Sequence, residues 1–373
     1  MKNYYQICTN CVMDTTDIEI EFDDKGVCSH CQLYENTQKK LYFPNKEGKK
    51  KLDTIIQKIK NSSKSNNYDC VIGLSGGVDS SYLAYILKKE YPELRILAIH
   101  VDGGWNSELA VSNIENIVKK LDIDLYTRVI DWEEMKDLQV AYLKSSLANQ
   151  DVPQDHAFFA TLYEQALKYN IKYFLTGYNL ATESILPSSW GYNAMDSIQI
   201  KDIHNTFGKK KLKNYTFLSF FQKHIYYPYI KKFKTIAPLN YLQYDKNEAK
   251  KIISKELDWR DYGGKHHESI FTKFFQSYYL PKKFGYDKRK AHLSSLIASG
   301  QLSRNEALSI LEKPLYEVNE LKNDKEFISK KLGISTAELE TLIALPNKNF
   351  TDYKSERKRV VLIKKILKVL RVK

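Results

Sequence analysis

The stretch VIGLSGGVDSS, residues 71–81, decides the fold. Val71, Ile72 and Leu74 follow the polar run NSSKSNN and read as a short buried strand, while Tyr82, Leu83, Tyr85, Ile86 and Leu87 recur at helical spacing. The loop between them therefore opens a helix. Unpaired backbone N–H groups there favour negative charge, and Gly76 and Gly77 let the backbone approach an anion with no Cβ in the way. The cradle candidates are Ser75, Gly76, Gly77, Val78, Asp79, Ser80 and Ser81. G-x-x-x-x-G-K-[ST] is absent: no Lys follows the second glycine, and Asp79 occupies the loop instead. A carboxylate beside phosphates needs a cation between them.

Outward from this loop the pattern alternates. RILAIHVD (95–102), LYTRVID (125–131) and IKYFLTGYN (171–179) read as further strands, separated by helical runs such as SELAVSNIENIVKKL and AFFATLYEQALKYN. Strands spaced by helices mean an α/β, doubly wound parallel sheet with right-handed crossovers. Its ligands sit beyond the carboxyl ends of the strands, where Ser75, Asp102, Asp131 and Gly177 fall. Three divisions follow: a cysteine knuckle and linker at 1–50, the α/β domain at 51–246, and a helical region at 247–373. Inside the α/β domain, 184–233 is expected to be irregular and rich in aromatic residues and Lys, as a substrate lid or a packed insertion. Ser303 with Glu306 and Ser335 with Glu338 fit helix capping boxes.

Of 373 residues, 43% are apolar, and no uncharged run is long enough to span a bilayer, so a globular chain of two or three domains is expected. MKNYYQICTN lacks the apolar segment of a secretion signal, which points to the cytoplasm. The formal charge is +13, but residues 354–373 hold nine Lys or Arg against one Glu, leaving the body mildly basic. On a helix, Val360, Leu362, Ile363, Ile366, Leu367 and Leu370 make an apolar stripe flanked by lysines. That suits a terminal helix docked on its own domain, an anionic membrane surface, or an acidic groove on a partner.

Four of the five cysteines, Cys8, Cys11, Cys28 and Cys31, form two C-x2-C pairs sixteen residues apart. Each pair can place two sulfurs on one tetrahedral ion, so the spacing reads as a structural Zn²⁺ site. Disulfides and an iron–sulfur cluster are the alternatives. His30 is either a substitute ligand or solvated. Cys70, in the predicted strand, is expected to pack in a core.

A second constellation lies at 259–299. It concentrates Lys265, His266, His267, Glu268, Lys283, Asp287, Lys288, Arg289 and His292 around two Gly turns. A solvated charged face explains such density, but so does chemistry. Imidazoles and a carboxylate relay protons near neutral pH, and the basic groups bind phosphate or carboxylate.

Ser75-Gly76-Gly77-Val78-Asp79-Ser80 resembles the pyrophosphate loop of the ATP pyrophosphatases, the family of asparagine, GMP and argininosuccinate synthetases and of tRNA-thiolating and lysidine-forming enzymes. The resemblance implies an adenine nucleotide α-hydrolase-like fold and ATP cleaved between its α and β phosphates, with Mg²⁺ at Asp79. It also draws in Asn179 and Glu183, just past the fourth strand, although the family's Gly-His-Asn is Gly177-Tyr178-Asn179 here. The cysteine knuckle, this loop, and Tyr262-Gly-Gly-Lys-His-His-Glu-Ser269 with Lys283-Phe-Gly-Tyr-Asp-Lys-Arg289 and His292-Leu-Ser294 together resemble the N-acetyl sugar amidotransferases, up to about residue 315. That family serves lipopolysaccharide, O-antigen and flagellar sugar pathways.

What this likeness implies is conversion of a sugar acetamido group to acetamidino. The expected partners are a nucleotide-linked N-acetyl sugar and separate glutaminase and cyclase-like subunits that supply ammonia. Asp79, Lys265, His266, His267, Glu268 and Arg289 become the catalytic candidates, and Lys283, Asp287, Lys288, Arg289 and His292 the substrate-binding ones. Two rivals share the loop. A tRNA-thiolating enzyme would use the knuckle and basic tail for RNA, but no Cys follows Cys70, and no nucleic acid is expected. A nucleotide-binding scaffold would bind ATP without turnover.

Overall fold

A computed structural model describes residues 5–264 and 267–370. Among them, five strands form one sheet: Cys70–Gly73 (β1), Ile96–Asp102 (β2), Asp124–Val129 (β3), Tyr173–Leu175 (β4) and Lys234–Ile236 (β5). The order is β3-β2-β1-β4-β5, and every neighbouring pair is parallel. The chain builds outward from β1 in one direction and then resumes at β4 on its other side. The crevice beyond the carboxyl ends of β1 and β4 is therefore the switch point where such sheets hold ligands.

Helices cover both faces. The first part of the chain supplies Ser29–Asn36 (α1), Lys46–Ser62 (α2), Val78–Glu90 (α3), Glu108–Leu121 (α4), Trp132–Ser145 (α5), Val152–Lys168 (α6), Leu180–Glu183 (α7), Ser197–Phe207 (α8) and Lys246–Leu257 (α9). Successive β1 side chains point to opposite faces. Cys70 and Ile72 pack with Leu52 and Ile56 of α2, Leu83 and Leu87 of α3 and Ile253 of α9, whereas Val71 packs with Leu97, Phe174 and Leu162 of α6. Both faces of the strand are buried, which is why it reads as a continuous apolar run.

Beyond residue 269 the chain is helical: Ile270–Phe274 (α10), Leu280–Phe284 (α11), Lys288–Ala298 (α12), Arg304–Leu311 (α13), Val318–Leu332 (α14), Thr336–Ala344 (α15) and Arg357–Leu370 (α16). Ser303 and Glu306 form a full capping box, and Ser335 accepts from the Glu338 N–H. No helix among the described residues is long and apolar enough to cross a membrane.

Several expectations need correction. The division at residue 50 cuts through α2, which starts where Asn45 accepts from the Gly48 N–H at 2.9 Å. Residues 184–233 are not irregular throughout; they contain α8 and a wide helical run, Gln222–Ile230. β5 follows directly. Its three residues are mostly exposed at the sheet edge, so no apolar run announces it. Asp131 is not at a strand end, because β3 stops at Val129; it caps α5, accepting from Glu133 and Glu134 N–H groups.

Candidate active site

β1 releases the chain into the loop, and α3 begins at Val78. The first helical bond runs from the Ser81 N–H to the Gly77 carbonyl at 3.0 Å. The N–H groups of Val78, Asp79 and Ser80 therefore precede the ladder at the helix's positive end. Ser75 Oγ accepts from the Gly77 N–H at 3.2 Å and lies 3.3 Å from Ser80 Oγ, which keeps the turn tight. Gly76 adopts φ +82°, the left-handed region, and a Cβ on it would lie 2.9 Å from Tyr262 Oη.

Asp79 is aimed by two donors. Tyr244 Oη and Asn179 Nδ2 both bond its Oδ1, the latter at 3.2 Å. A Cβ on Gly177 would sit 3.0 Å from the backbone of Asp79 and Ser80, so the β4 exit packs directly on the start of α3. Asp79 and Glu183 both line the cleft. A carboxylate oriented through one oxygen, beside helix-terminal N–H groups, would suit a Mg²⁺ carried in on phosphates.

The chain's later part grips this loop. Trp259 Nε1 and Tyr262 Oη both donate to the Gly76 carbonyl, at 2.7 and 2.9 Å, and Asn113 bonds Tyr262 Oη from α4. Asn106 and Ser269 form an isolated antiparallel bridge, the Ser107 N–H donates to the Glu268 carbonyl, and the Ile270 N–H donates to the Trp105 carbonyl. This stitching brings Glu268 to the loop, 3.2 Å from where a Cβ on Gly77 would stand. His100 lies behind it, bonded to the Leu74 carbonyl and to Asn106 at 2.9 Å each; burial holds its imidazole below the usual range, hence neutral.

Loop, Glu268 and insertion share one cleft of about 1150 Å³. Its far wall comes from 186–193, with Trp190 stacked on Tyr286 at 5.3 Å, and from Phe350, stacked on Tyr192 at 4.4 Å. Arg357 reaches the same wall from the start of α16. The insertion is thus wall in one part and packing in the other, where Tyr163, Tyr227 and Phe233 stack on one another. Sequence reasoning missed Asp151 and Asp155, which line the cleft with Lys288. NQDVPQD carries no motif, and the one available signal was an acid at a helix start.

Other candidates stand elsewhere. Lys265 and His266 lie outside the described residues. His267 folds over Gly264, where a Cβ would be 2.3 Å from its ring. Gly76 and Ser81 lie behind the cradle surface, Ser81 Oγ donating to the Gly77 carbonyl at 2.7 Å. Asp102 turns back on its own loop, accepting from the Gly104 N–H at 2.7 Å, and does not line the cleft.

Lys283 donates to the carbonyls of Ile343 and Leu345. Asp287 caps α12 and pairs with Arg289, whose guanidinium also holds the Lys313 carbonyl at 2.7 Å. These three do structural jobs away from the cleft. His292, on α12, does not line it either; of the five substrate-binding candidates Lys288 alone does.

The knuckle's four sulfurs, all buried and unlinked, lie within 4.8 Å of one another. Cys11 and Cys28 are 3.6 Å apart and Cys8 and Cys31 4.0 Å. Four thiolates around zinc at their usual bond length stand about 3.8 Å apart, so the donor set fits Zn²⁺. His30 is not part of the sulfur cluster; partly exposed, it pairs with Asp17 at 2.7 Å. Arg304 of α13 donates to the carbonyls of Cys8 and Cys11, and Lys290 of α12 pairs with Asp14. Ile18 and Glu19 of the knuckle line the cleft.

Residues 49–216 match the NAD synthase family, and residues 268–368 match the family described as LPS biosynthesis protein WbpG-like, C-terminal domain. That second match runs well past residue 315, where the resemblance was expected to end. No curated protein sequence matches the chain significantly. Among solved structures, the NH3-dependent NAD synthetase of Campylobacter jejuni is 17% identical over 43% of this chain and 72% of its own, with a TM-score of 0.30. NMN synthetase of Francisella tularensis is 15% identical over 82% of this chain and 98% of its own, with a TM-score of 0.34.

Proposed function

From a chain of the PP-loop superfamily that joins an NAD synthase domain to a WbpG-like domain of LPS biosynthesis, we propose an ATP-dependent amidotransferase that turns the N-acetyl group of a nucleotide-linked sugar into an acetamidino group. The observation that carries this reading is the shared cleft. Single-ligand pockets run to about 1,000 Å³. A cleft of about 1150 Å³, with a phosphate cradle at one side and an aromatic and cationic wall at the other, has room for ATP and a second substrate.

An amide carbonyl has no leaving group, so its oxygen must be made into one. That oxygen attacks the α-phosphorus, the bond to the bridging oxygen of the β-phosphate breaks, and pyrophosphate departs toward the N–H groups of Val78, Asp79 and Ser80. Mg²⁺ held by Asp79 would neutralise charge on the departing group. Ammonia then adds to the imidate carbon, a proton leaves the new nitrogen, and AMP departs. Lys288, which lines the cleft, would hold an anionic part of the sugar nucleotide. On this reading a separate glutaminase supplies the ammonia, which is supported by Cys70 being fully buried in β1 with its thiol pushed well up by burial.

The test incubates the protein with ATP, Mg²⁺, ammonium and a panel of UDP- and CMP-linked N-acetyl sugars. One sugar should release AMP and pyrophosphate and yield a product with the mass change of O replaced by NH. Turnover with no sugar in the panel, or sulfur incorporation into tRNA instead, sinks the reading.

A further inference from the structure

We propose that Asp151 is the base that takes the proton from nitrogen after ammonia has added to the imidate carbon, an inference that rests on the amidotransferase reading above. Asp151 stands at the N-cap of α6, where an Asp side chain ordinarily accepts from N–H groups of the first turn. Its carboxylate makes no such bond. It points instead across to the later part of the chain, where Thr272 Oγ1 of α10 donates to Oδ1 at 3.1 Å, and Gln154 Nε2 approaches the same oxygen at 3.4 Å. A carboxylate that leaves its cap to line the cleft, nine-tenths buried, is aimed by the tertiary structure rather than by its helix.

The charged groups facing it are Asp155 from its own helix, Glu268 from the segment against the PP-loop, and Lys288 from α12. Burial and the Asp155 charge push its carboxyl up to about 8, with Glu268 adding to them and Thr272 and Lys288 opposing. An ordinary carboxylate is too weak a base to accept a proton from an alkylammonium nitrogen. One that titrates near the working pH is matched to the task. Glu268 stands at Gly77, on the phosphate side of the cleft.

The step balances. The ammonia lone pair forms the C–N bond, giving a tetrahedral carbon that bears an ammonium. Asp151 takes one proton from it. The C–O bond to AMP then breaks with its electrons going to oxygen, while a nitrogen lone pair forms the C=N bond of the amidinium. Asp151 returns its proton to solvent as product leaves.

The experiment compares wild type, D151N and D151E using ATP, Mg²⁺, ammonium and the same sugar panel, with two readouts. Sugar-dependent ATP–pyrophosphate exchange without ammonium reports adenylation; amidine formation across pH 6 to 9 reports the second half. D151N is expected to exchange within about threefold of wild type, yet to form amidine about 100-fold more slowly and without the rise in rate near pH 8, while D151E recovers part of both. Amidine formation by D151N at the wild-type rate, an unchanged pH profile, or exchange lost together with turnover would overturn the proposal. Absence of exchange in the wild type with every sugar would instead bring down the amidotransferase reading, and this one with it.

Discussion

The indole N–H of Trp259 donates to the carbonyl oxygen of Gly76 across 183 residues, so the turn of the PP-loop is fixed from outside the sheet domain. Trp259 is buried, and Tyr262 shares the same acceptor. Trp259→Phe should keep most of the apolar packing and remove one donor. The expected cost is about 1 kcal/mol of stability with an ATP Michaelis constant raised about threefold to tenfold, read by thermal unfolding and ATP titration. An unchanged ATP constant would show that Tyr262 alone holds the turn.

Two glycines of the same cleft make opposite predictions. A Cβ on Gly177 would meet the backbone of Asp79 and Ser80 at 3.0 Å, and backbone cannot swing aside. Gly177→Ala should displace the first turn of α3, lowering stability by about 1–3 kcal/mol and pyrophosphate release by more than the stability loss explains. Gly191 has only the Asn149 side chain near, at 3.8 Å. Gly191→Ala should change stability by less than about 0.5 kcal/mol and leave turnover intact. Equal effects of the two would refute the close-contact argument.

The knuckle's link to α12 and α13 sets a third expectation. The protein should bind about one zinc per chain, and Cys28→Ser should lose it. Because Arg304 and Lys290 hold knuckle groups and Glu19 lines the cleft, the loss should lower the melting temperature and raise the sugar Michaelis constant before ATP binding suffers. Iron in the metal analysis, or a Cys28→Ser protein with unchanged melting, would contradict this.

How far the sequence could be read follows from what is local. β1, the loop and α3 are contiguous, so period and turn chemistry were enough, and two C-x2-C pairs needed no knowledge of distance. The cleft's other walls come from residues that meet only after folding: Trp259 on Gly76, Thr272 on Asp151, Phe350 on Tyr192. Density of charge in 259–299 was a poor guide for the same reason. Lys283, Asp287 and Arg289 look like substrate ligands in sequence, yet their partners are carbonyls and a helix cap. Lys288, their neighbour, lines the cleft.

The pH dependence of stability should expose two buried groups pulling in opposite directions. His156 is fully buried: its Nε2 accepts from the Leu218 N–H at 2.9 Å, so the proton sits on Nδ1, against the Ala194 carbonyl. Burial, with Lys223 and Lys201 adding to it, lowers its titration to about 4 from 6.5. Between those values the unfolded chain binds the extra proton, so this group's stability contribution is complete above pH 6.5 and is lost, by about 3 kcal/mol, as pH falls to 4. Asp151 runs the other way. With its carboxyl raised to about 8 from 3.8, the folded chain holds the extra proton, and stability falls as pH rises from about 4 to 8. The two slopes offset between pH 4 and 6.5, and above that Asp151 acts alone, costing about 2 kcal/mol by pH 8. Denaturant unfolding of the wild type should therefore show a decline above pH 6.5. D151N, relieved of the opposing slope, should gain stability from pH 4 to 6.5 and stay level beyond. A wild type that is level from 6.5 to 8 would mean that Asp151 is ionised in the folded protein at neutral pH, and a D151N protein that still declines there would assign the decline to another group.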